Sequence, residues 1–300
     1  DLNGQVSITD STHTATITDD ETGVINFAGD AANAESVDPT QNATLAITGT
    51  GSGTVGLDVA LTIDATDATG GSATSGTDYA TYGSQTLTFN TGDGASIDST
   101  NGTLNVTSDQ RLEGDETVNL AIGNLSSDLN GQVSITDSTH TATITDDEVG
   151  VINFAGAASS VNPEADGTVV VGVDLNINTV GSGTIGLDRT ITIDVDDAGT
   201  GSATKGAAAN DDFTYTDTTL TFSPSDGTSF SDDVTVTVAD DIVDEINETI
   251  ILAASINSDG TGGNASIVAP TQHTITITDN DTSSGVAEFS PTAAGVYSMV

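Results

Sequence analysis

A nearly verbatim internal repeat constrains this chain more than any other feature. Residues 1–21 read DLNGQVSITDSTHTATITDDE, and residues 128–148 repeat all 21 of them at an offset of 127 residues. The heptapeptide GVINFAG follows both copies, at 23–29 and 150–156. A more diverged ending, HTITITDND, lies at 273–281. Repetition at a fixed period indicates a tandem array of one structural unit.

The repeat divides the chain into two complete units and two partial ones. The complete units span residues 23–148 and 150–281, because each ends after a run of acidic residues. Residues 1–21 then match the C-terminal strands of a preceding unit, and residues 286–300 match the first strand of a following unit. We therefore expect a longer polypeptide. Exchange of the end strands between subunits of a polymer is the alternative.

Alternating polar and apolar residues predict β-strands in each unit. Residues 86–89 (TLTF), 117–120 (TVNL) and 141–144 (TATI) alternate in this way, and residues 219–222 and 274–277 do so in the second unit. A period of two, interrupted by Gly, Asp, Asn and Ser, is typical of half-buried strands. About seven strands per unit predict an all-β fold of tandem antiparallel β-sandwiches, immunoglobulin-like in size.

The composition restricts the partners of the chain. The sequence has 45 acidic and three basic residues, for a formal net charge of -42, which disfavours binding to nucleic acid or to anionic lipid. It has no cysteine, so disulfides cannot stabilise it. No apolar run approaches the ~20 residues of a membrane-spanning helix. Of the acidic residues, 36 are Asp, a residue favoured in turns and as a ligand of hard cations.

Each unit carries four acidic groups in the same order, and every group lies at the end of a predicted strand or in the adjoining loop. In the first unit they are Asp78; Asp109; Glu113 and Glu116; and Asp146, Asp147 and Glu148. In the second they are Asp212; Asp240 and Asp241; Glu245 and Glu248; and Asp279 and Asp281. Asp19 and Asp20 hold the corresponding place in the first copy of the repeated segment.

Clustered carboxylates repel one another unless a cation lies between them, and three basic side chains are too few for that task. Calcium takes six to eight oxygen ligands and tolerates irregular loops, whereas zinc prefers His or Cys. The alternative is that Asp residues only cap turns and keep the surface soluble. Because four groups recur in register in both units, the sequence favours Ca²⁺ as the bound ion.

Both units resemble the Calx-beta domain family. The resemblance is carried by GSATSGTDY at 71–79, LTF at 87–89, LEGDETV at 112–118 and ATITDDE at 142–148. The second unit matches with the following segments: GSAT at 201–204, LTF at 220–222, DDIVDEINET at 240–249 and ITDND at 277–281. It implies a seven-stranded sandwich that binds calcium at the pole where its last strand exits.

The resemblance also implies the ligand positions, which are Asp78, Asp109, Glu113, Glu116, Asp146 and Asp147 in the first unit and Asp212, Asp240, Asp241, Glu245, Glu248, Asp279 and Asp281 in the second. The family's further Glu, after the first strand, falls on Glu164 in the second unit. Simple alignment puts Thr40 at that position in the first unit, with Glu35 nearby. Two other departures are Ser108, in place of the first acid of a pair, and Asn280, which interrupts the last triplet. The first unit is therefore expected to bind fewer ions or to bind them more weakly.

These observations predict a calcium-binding structural repeat array that forms a rigid extracellular stalk, fibre or filament. The alternatives are the stalk of a cell-surface adhesin that mediates attachment, and a calcium-sensing regulatory module. The expected partners are neighbouring repeats of the same chain and copies of the chain in a fibre, outside the cell or at its surface. We expect no enzymatic activity, because the acidic residues have no apolar pocket residues around them.

Only about two residues separate the acidic triplet at Asp146 from the alternating strand that begins near Val151. The calcium pole and the joint between repeats are therefore expected to lie in the same place.

Overall fold

The computed structural model describes residues 4, 6–7, 9–282, 289–291 and 297–299, the last two stretches by their backbone pairing alone. The chain forms two compact units. Unit 1 comprises Asp1–Asn33, Asp38–Val106 and Thr117–Thr143, and unit 2 comprises Ala34–Val37, Thr107–Glu116 and Ile144–Val300. The repeat boundaries and the unit boundaries thus differ, since three short segments of the first sequence repeat belong to unit 2.

Thirteen strands lie within the first sequence repeat. They are β1 (Thr22–Gly29), β2 (Ala32–Ala34), β3 (Thr40–Thr48), β4 (Gly56–Leu57), β5 (Leu61–Asp67), β6 (Gln85–Phe89), β7 (Gly92–Asp93), β8 (Ser96–Asp98), β9 (Gly102–Thr103), β10 (Arg111–Leu112), β11 (Glu116–Gly123), β12 (Val133–Asp137) and β13 (Thr139–Thr145). One sheet has the order β12-β1-β3-β8, with β9 also paired to β3, and the other has the order β2-β13-β11-β5-β6. Strands β4 and β7 form a separate pair.

Twelve strands follow in the second sequence repeat. They are β14 (Val149–Phe154), β15 (Ser159–Pro163), β16 (Thr168–Asn178), β17 (Gly186–Leu187), β18 (Ile191–Asp197), β19 (Phe213–Thr214), β20 (Thr218–Phe222), β21 (Ser225–Asp226), β22 (Ser229–Val238), β23 (Glu248–Asp259), β24 (Ala265–Ile267) and β25 (Gln272–Thr278). The sheet orders are β19-β22-β16-β14-β24 and β15-β25-β23-β18-β20. A third, three-stranded sheet has the order β10-β17-β21. A 3₁₀ turn, η1, spans Glu164–Asp166.

In each repeat the core lies between its two five-stranded sheets, because apolar side chains alternate with polar ones along their strands. Strand β11, for example, alternates buried and half-buried residues along its whole length. In unit 2 the buried cluster includes Phe154, Leu175 and Phe222, together with Leu112 from the short strand β10. The all-β sandwich predicted from the sequence is confirmed. Among the described residues, no helix is long and apolar enough to cross a bilayer.

The two identical segments have different environments. Ile144, in the second copy, is 3% exposed, whereas Ile17 at the same position of the first copy is 96% exposed. Residues 9–21 contain no strand, so their assignment to a preceding unit stays a prediction. At the other end, β26 (Phe289–Pro291) pairs antiparallel with β27 (Tyr297–Met299). Most of the predicted first strand of a following unit, at 286–300, lies outside the described residues.

Candidate metal centre

The acidic groups of unit 2 are placed by strand ends that meet at one edge of the sandwich. Glu164 opens η1 directly after β15, and Asp279 and Asp281 follow β25. Strands β15 and β25 run parallel and are paired along their full common length. Their C-terminal ends therefore lie side by side, which brings the three carboxylates together.

Glu164, Asp279 and Asp281 form the first candidate site. Each offers one carboxylate oxygen, and these oxygens lie within 4.8 Å of one another. Asp279 is fixed by the backbone, because its Oδ2 accepts the Glu245 N–H at 2.9 Å and its Oδ1 accepts the Asp281 N–H at 2.9 Å. These hydrogen bonds lower the pKa of Asp279. Asp279 thus stays ionised within the cluster.

The neighbouring carboxylates in this site are electrostatically unfavourable as anions. Burial, followed by the charges of Asp279 and other acids, raises the pKa of Glu164 to about 7. Burial and the same charged surroundings raise the pKa of Asp281. The side-chain oxygens Glu164 Oε2 and Asp281 Oδ2 are buried and accept no hydrogen bond. A cation would satisfy these oxygens and offset the repulsion.

Asp212, Glu245 and Glu248 form a second candidate site, with oxygens again within 4.8 Å of one another. Asp212 precedes β19, and its Oδ2 accepts the backbone N–H of Thr204. Glu248 begins β23, and its pKa is raised to about 7, first by burial and then by a hydrogen bond with Asp212. Burial also raises the pKa of Glu245. This site therefore shares the excess of negative charge found in the first.

Glu35, Asp146 and Glu148 form a third candidate site, also within unit 2. Burial raises the pKa of Glu35 to about 7 and that of Glu148, which is fully buried, to about 8. Glu148 Oε1 accepts the Val180 N–H at 3.1 Å, while its Oε2 is buried without a partner. Asp146 is held by four hydrogen-bond donors, three of which share its Oδ2.

The chemistry of these donors fits calcium. All three sites consist of carboxylates, the ligands that calcium prefers, and none contains a His or Cys. Buried oxygens without hydrogen-bond partners occur in two of the sites, at Glu148, Glu164 and Asp281. The basic side chains are engaged elsewhere, Arg111 with Asp188 and Asp226, Arg189 with Glu116, and Lys205 with Asp197 and Asp217. These residues could hold a metal ion.

Several predicted ligands lie outside the three sites. Asp109 Oδ1 accepts the Arg111 N–H at 2.8 Å, and Asp241 Oδ1 accepts the Val243 N–H at 2.8 Å. Asp240 Oδ1 accepts the Asn280 side-chain amide at 2.9 Å. Each of these three carboxylates thus has a turn- or loop-stabilising bond.

The remaining predicted ligands differ in burial and in their partners. Asp147 Oδ1 is buried and has no hydrogen-bond partner. Asp20 is exposed and accepts the Thr50 hydroxyl, while the backbone carbonyl of Asp19 accepts the Gln132 amide at 2.9 Å.

Three further predicted ligands fall on both sides of the unit boundary. Asp78 belongs to unit 1, where it is buried and accepts the Thr74 N–H. Glu113 and Glu116 belong to unit 2. The Glu113 N–H donates to Asp146 Oδ2 at 3.0 Å, and the buried Glu116 carboxylate pairs with Arg189. Their role as ligands stays a prediction.

Two residues of the third site were not among the predicted ligands. Glu148 belongs to the acidic triplet 146–148, but nothing in the sequence indicates that its side chain is completely buried. Glu35 was noted beside Thr40, the aligned position for the family's first Glu. Thr40 instead begins β3, and its backbone N–H and hydroxyl both donate to Asp30 at 2.9 Å. The buried Glu35 thus takes the place that alignment gave to Thr40.

A histidine occurs near the start of the last strand in both repeats, as His140 in β13 and as His273 in β25, and it packs against the core. His273 is buried, its Nε2 lies 3.0 Å from Ser160 Oγ, and its ring lies 5.8 Å from that of Phe154. Burial lowers the pKa of His273. His140 contacts Phe27 in the corresponding way, with ring centroids 5.4 Å apart. A shared packing role accounts for this repeated residue.

A known domain family matches most of the chain. The model of the Calx-beta domain matches residues 18–148 and 145–281. The apo form of the Calx CBD1 domain is 19% identical, with a TM-score of 0.33, and covers 44% of this chain and 99% of its own. CBD12 from CALX1.2 is 14% identical, with a TM-score of 0.34, and covers 84% of this chain and 98% of its own.

The calcium binding domain CBD12 of CALX1.1 is 15% identical, with a TM-score of 0.33, and covers 84% of this chain and 98% of its own. No curated protein matched the sequence.

Proposed function

The chain belongs to the Calx-beta domain family, and on that premise we propose that it is a calcium-binding structural array that forms a rigid extracellular stalk or fibre. The observation that carries this proposal is the uncompensated negative charge at the three carboxylate sites. Four glutamates, namely Glu35, Glu148, Glu164 and Glu248, have pKa values raised to between about 7 and about 8 by burial. Such groups are stable as anions only beside a cation.

Each site would hold the ion with residues from different strand ends. Glu164 would bind from η1, and Asp279 and Asp281 would bind from the segment after β25. A bound Ca²⁺ supplies the positive charge that these carboxylates lack, and it accepts their oxygens as ligands. Binding would then tie the loops that carry the ligands to one another. Because unfolded chain offers no such cluster, calcium stabilises the fold by mass action.

The rigidity of the array is supported by the segments that the first repeat contributes to unit 2. Residues 107–116 and 144–148 belong to unit 2 by their contacts, although they lie within the first sequence repeat. Asp146 accepts the backbone N–H groups of Glu113 and Gly114, at 3.0 Å and 2.7 Å. Calcium at the third site would therefore stiffen the segment through which one repeat continues into the next.

A non-catalytic role outside the cell or at its surface is consistent with these sites. Calcium modules of extracellular proteins bind in the ~10⁻⁴–10⁻³ M range, which suits loops of this irregular kind. Neighbouring repeats and further copies of the chain are the partners that such an array implies. Stiffness and length, instead of chemical turnover, would be its function.

Calorimetric titration and solution scattering of the whole chain test this proposal. We expect saturable calcium binding, a higher melting temperature with calcium than with chelator, and a larger maximum dimension in the calcium-bound state. Magnesium at the same concentration serves as the control, because its octahedral preference suits these clusters less well. If chelation changes neither the melting temperature nor the scattering profile, the acidic sites are only solvated turns and the proposal is wrong.

A further inference from the structure

The short strand β10 pairs with β17 of unit 2 and places a leucine in the core of that unit. The end of unit 2 that carries β17 and β21 is called its pole below. Strand β10 pairs parallel with β17, so that Arg111 lies opposite Gly186 and Leu112 opposite Leu187. The backbone completes the pairing, because the Gly186 N–H donates to the Gln110 carbonyl at 3.2 Å and the Asp188 N–H to the Leu112 carbonyl at 3.0 Å. Leu112 is fully buried in the core cluster of this unit.

An arginine holds the same strand in place. Arg111 Nε donates to Asp188 Oδ1 at 2.7 Å, and its Nη1 donates to Asp226 Oδ1 at 2.8 Å. Asp188 directly follows β17, and Asp226 of β21 pairs with Gly186 of β17. The pole of unit 2 thus recognises an Arg-Leu dipeptide through one apolar site, two carboxylates and the free backbone of a strand.

Unit 1 has the same frame at its corresponding pole. Gly56–Leu57 of β4 corresponds to Gly186–Leu187 of β17, and Gly56 pairs with Asp93 as Gly186 pairs with Asp226. Asp58 follows β4 as Asp188 follows β17. Asp58 and Asp93 of unit 1 therefore correspond to Asp188 and Asp226, the two acids that bind Arg111 in unit 2.

At this pole of unit 1 the structure contains a cavity of about 480 Å³ instead of an inserted strand. Leu45, Ile47, Leu57 and Val133 are among its apolar lining residues, and its acidic lining residues are Asp19, Glu21, Asp58 and Asp93. Asp58 and Asp93 are exposed, and all three basic side chains of the protein form ion pairs with other carboxylates. The cavity thus combines a group of apolar side chains with acids that lack a basic partner.

We propose that this cavity, together with the edge of β4, is a docking site for the Arg-Leu tip of another Calx-beta repeat. The incoming strand would pair with Gly56–Leu57, bury its leucine against Leu45 and Val133, and place its arginine between Asp58 and Asp93. The identity of the partner follows from charge and shape. One guanidinium can donate to both Asp58 and Asp93, as Arg111 does to Asp188 and Asp226, and a leucine suits the apolar lining residues.

The tip of the second repeat does not have this chemistry. Its residues at the positions of Arg111 and Leu112 are Val243 and Asp244, which offer no cation and would place a carboxylate in the apolar site. Docking is thus selective for repeats that carry Arg-Leu at these two positions. The residues at these positions would therefore decide which repeats can be neighbours in an array. This inference rests on the proposed array function but does not require calcium at the carboxylate sites.

Amide NMR spectra of the ¹⁵N-labelled whole chain, recorded with chelator, test the docking site. The probe is the decapeptide Thr-Ser-Asp-Gln-Arg-Leu-Glu-Gly-Asp-Glu, the sequence of residues 107–116. The control peptide carries Val-Asp in place of Arg-Leu. We expect saturable shifts of the Gly56, Leu57 and Asp58 amides with the first peptide and none with the second. The Gly186 and Asp188 amides should stay unchanged, because their pole is already filled.

A second variant separates the ion pairs from non-specific binding. Asp58→Asn with Asp93→Asn should weaken the probe at least tenfold while the amide spectrum of the rest of the chain is preserved. Peptide concentrations up to about 5 mM suffice for a Kd near 1 mM. The proposal is overturned if no shift saturates in that range, if both peptides act alike, or if the double variant binds as well as the parent. Calcium dependence is measured separately, so failure of one proposal leaves the other testable.

Discussion

The side-chain amide of Asn264 donates a hydrogen bond to Asp146 Oδ2, 3.0 Å away. The same oxygen accepts the backbone N–H groups of Glu113 and Gly114. Three donors thus neutralise part of the charge of a residue in the third carboxylate site. Residues that are far apart in the sequence are tied together through this one oxygen.

Replacement of Asn264 by Asp should destabilise the calcium-free protein. The isosteric change converts a donor into a second carboxylate beside Asp146, at a cost on the order of 1–3 kcal/mol. Calcium should restore part of the loss, since it would compensate the added charge. Thermal melting of Asn264→Asp with chelator and with calcium measures both effects. Equal losses under the two conditions would argue against a cation near Asp146.

Replacement of Glu164 by Gln should have opposite effects with and without calcium. The neutral amide removes a buried charge, so the variant should melt at a higher temperature than the parent in chelator at pH 8. It also removes a ligand, so calcium should raise its melting temperature less. Asp166→Asn, an exposed position of the same 3₁₀ turn, is the matched control. A Glu164→Gln variant that is destabilised in chelator would contradict this account.

The stability of the calcium-free protein should fall as the pH rises from about 4.5 to about 8. The folded-state pKa values of Glu35, Glu164 and Glu248 are raised to about 7 and that of Glu148 to about 8, so the folded chain retains protons that the unfolded chain has lost. Unfolding then releases protons, and higher pH favours it.

The measurement is a series of melting temperatures between pH 5 and pH 8, with chelator and with calcium. A drop of several degrees is expected in chelator, since about 1 kcal/mol moves the Tm of a domain of this size by roughly 3–5 °C. Calcium should flatten the curve because the ion replaces the protons. Parallel curves in the two conditions would count against carboxylate sites that bind calcium.

Replacement of Gly114 by Ala should destabilise unit 2. Its backbone has a φ of +85°, and a Cβ at this position would stand 2.5 Å from the carbonyl oxygen of Thr261. Strain and the close contact together should cost on the order of 1–3 kcal/mol. Gly123→Ala is the control, because a Cβ there meets nothing within 4 Å. Denaturant unfolding of the two variants should therefore give clearly different midpoints.

Truncation of Leu112 to Ala should cost about 2–5 kcal/mol, as for other fully buried leucines. The loss should fall on the unfolding of unit 2, where Leu112 is fully buried in the core. Val161→Ala removes methyl groups from a side chain that is 67% exposed and should be nearly neutral. Hydrogen exchange of β17 would report the effect directly. If the Leu112 variant leaves β17 as protected as in the parent, the side chain is not part of that core.

The strands and the position of the acidic groups were predictable because both depend on local sequence. Alternation at residues 219–222 predicted β20, and alternation at residues 274–277 predicted that Asp279 and Asp281 directly follow a strand, which is β25. A strand with one buried face must alternate, and a turn that follows it tolerates Asp. These features do not require knowledge of distant residues.

Long-range packing was not predictable in the same way. Nothing local to Leu112 indicates that it joins the core of unit 2, because the residues that bury it lie more than 30 positions away. Ile17 and Ile144 belong to identical segments, yet one is exposed and the other buried. The environment of a residue is thus decided by partners that the local sequence does not contain.

The parallel pairing of β15 with β25 determines how the second repeat responds to a pulling force. These strands lie near the start and the end of the repeat, and they are paired over five residues, from Ser159–Thr274 to Pro163–Thr278. Tension applied through the chain on either side would slide the two strands past each other, so their hydrogen bonds would be loaded together. An antiparallel pair would instead open one bond at a time. The repeat is therefore built to resist shear, and mechanical extension should rupture it in a single step.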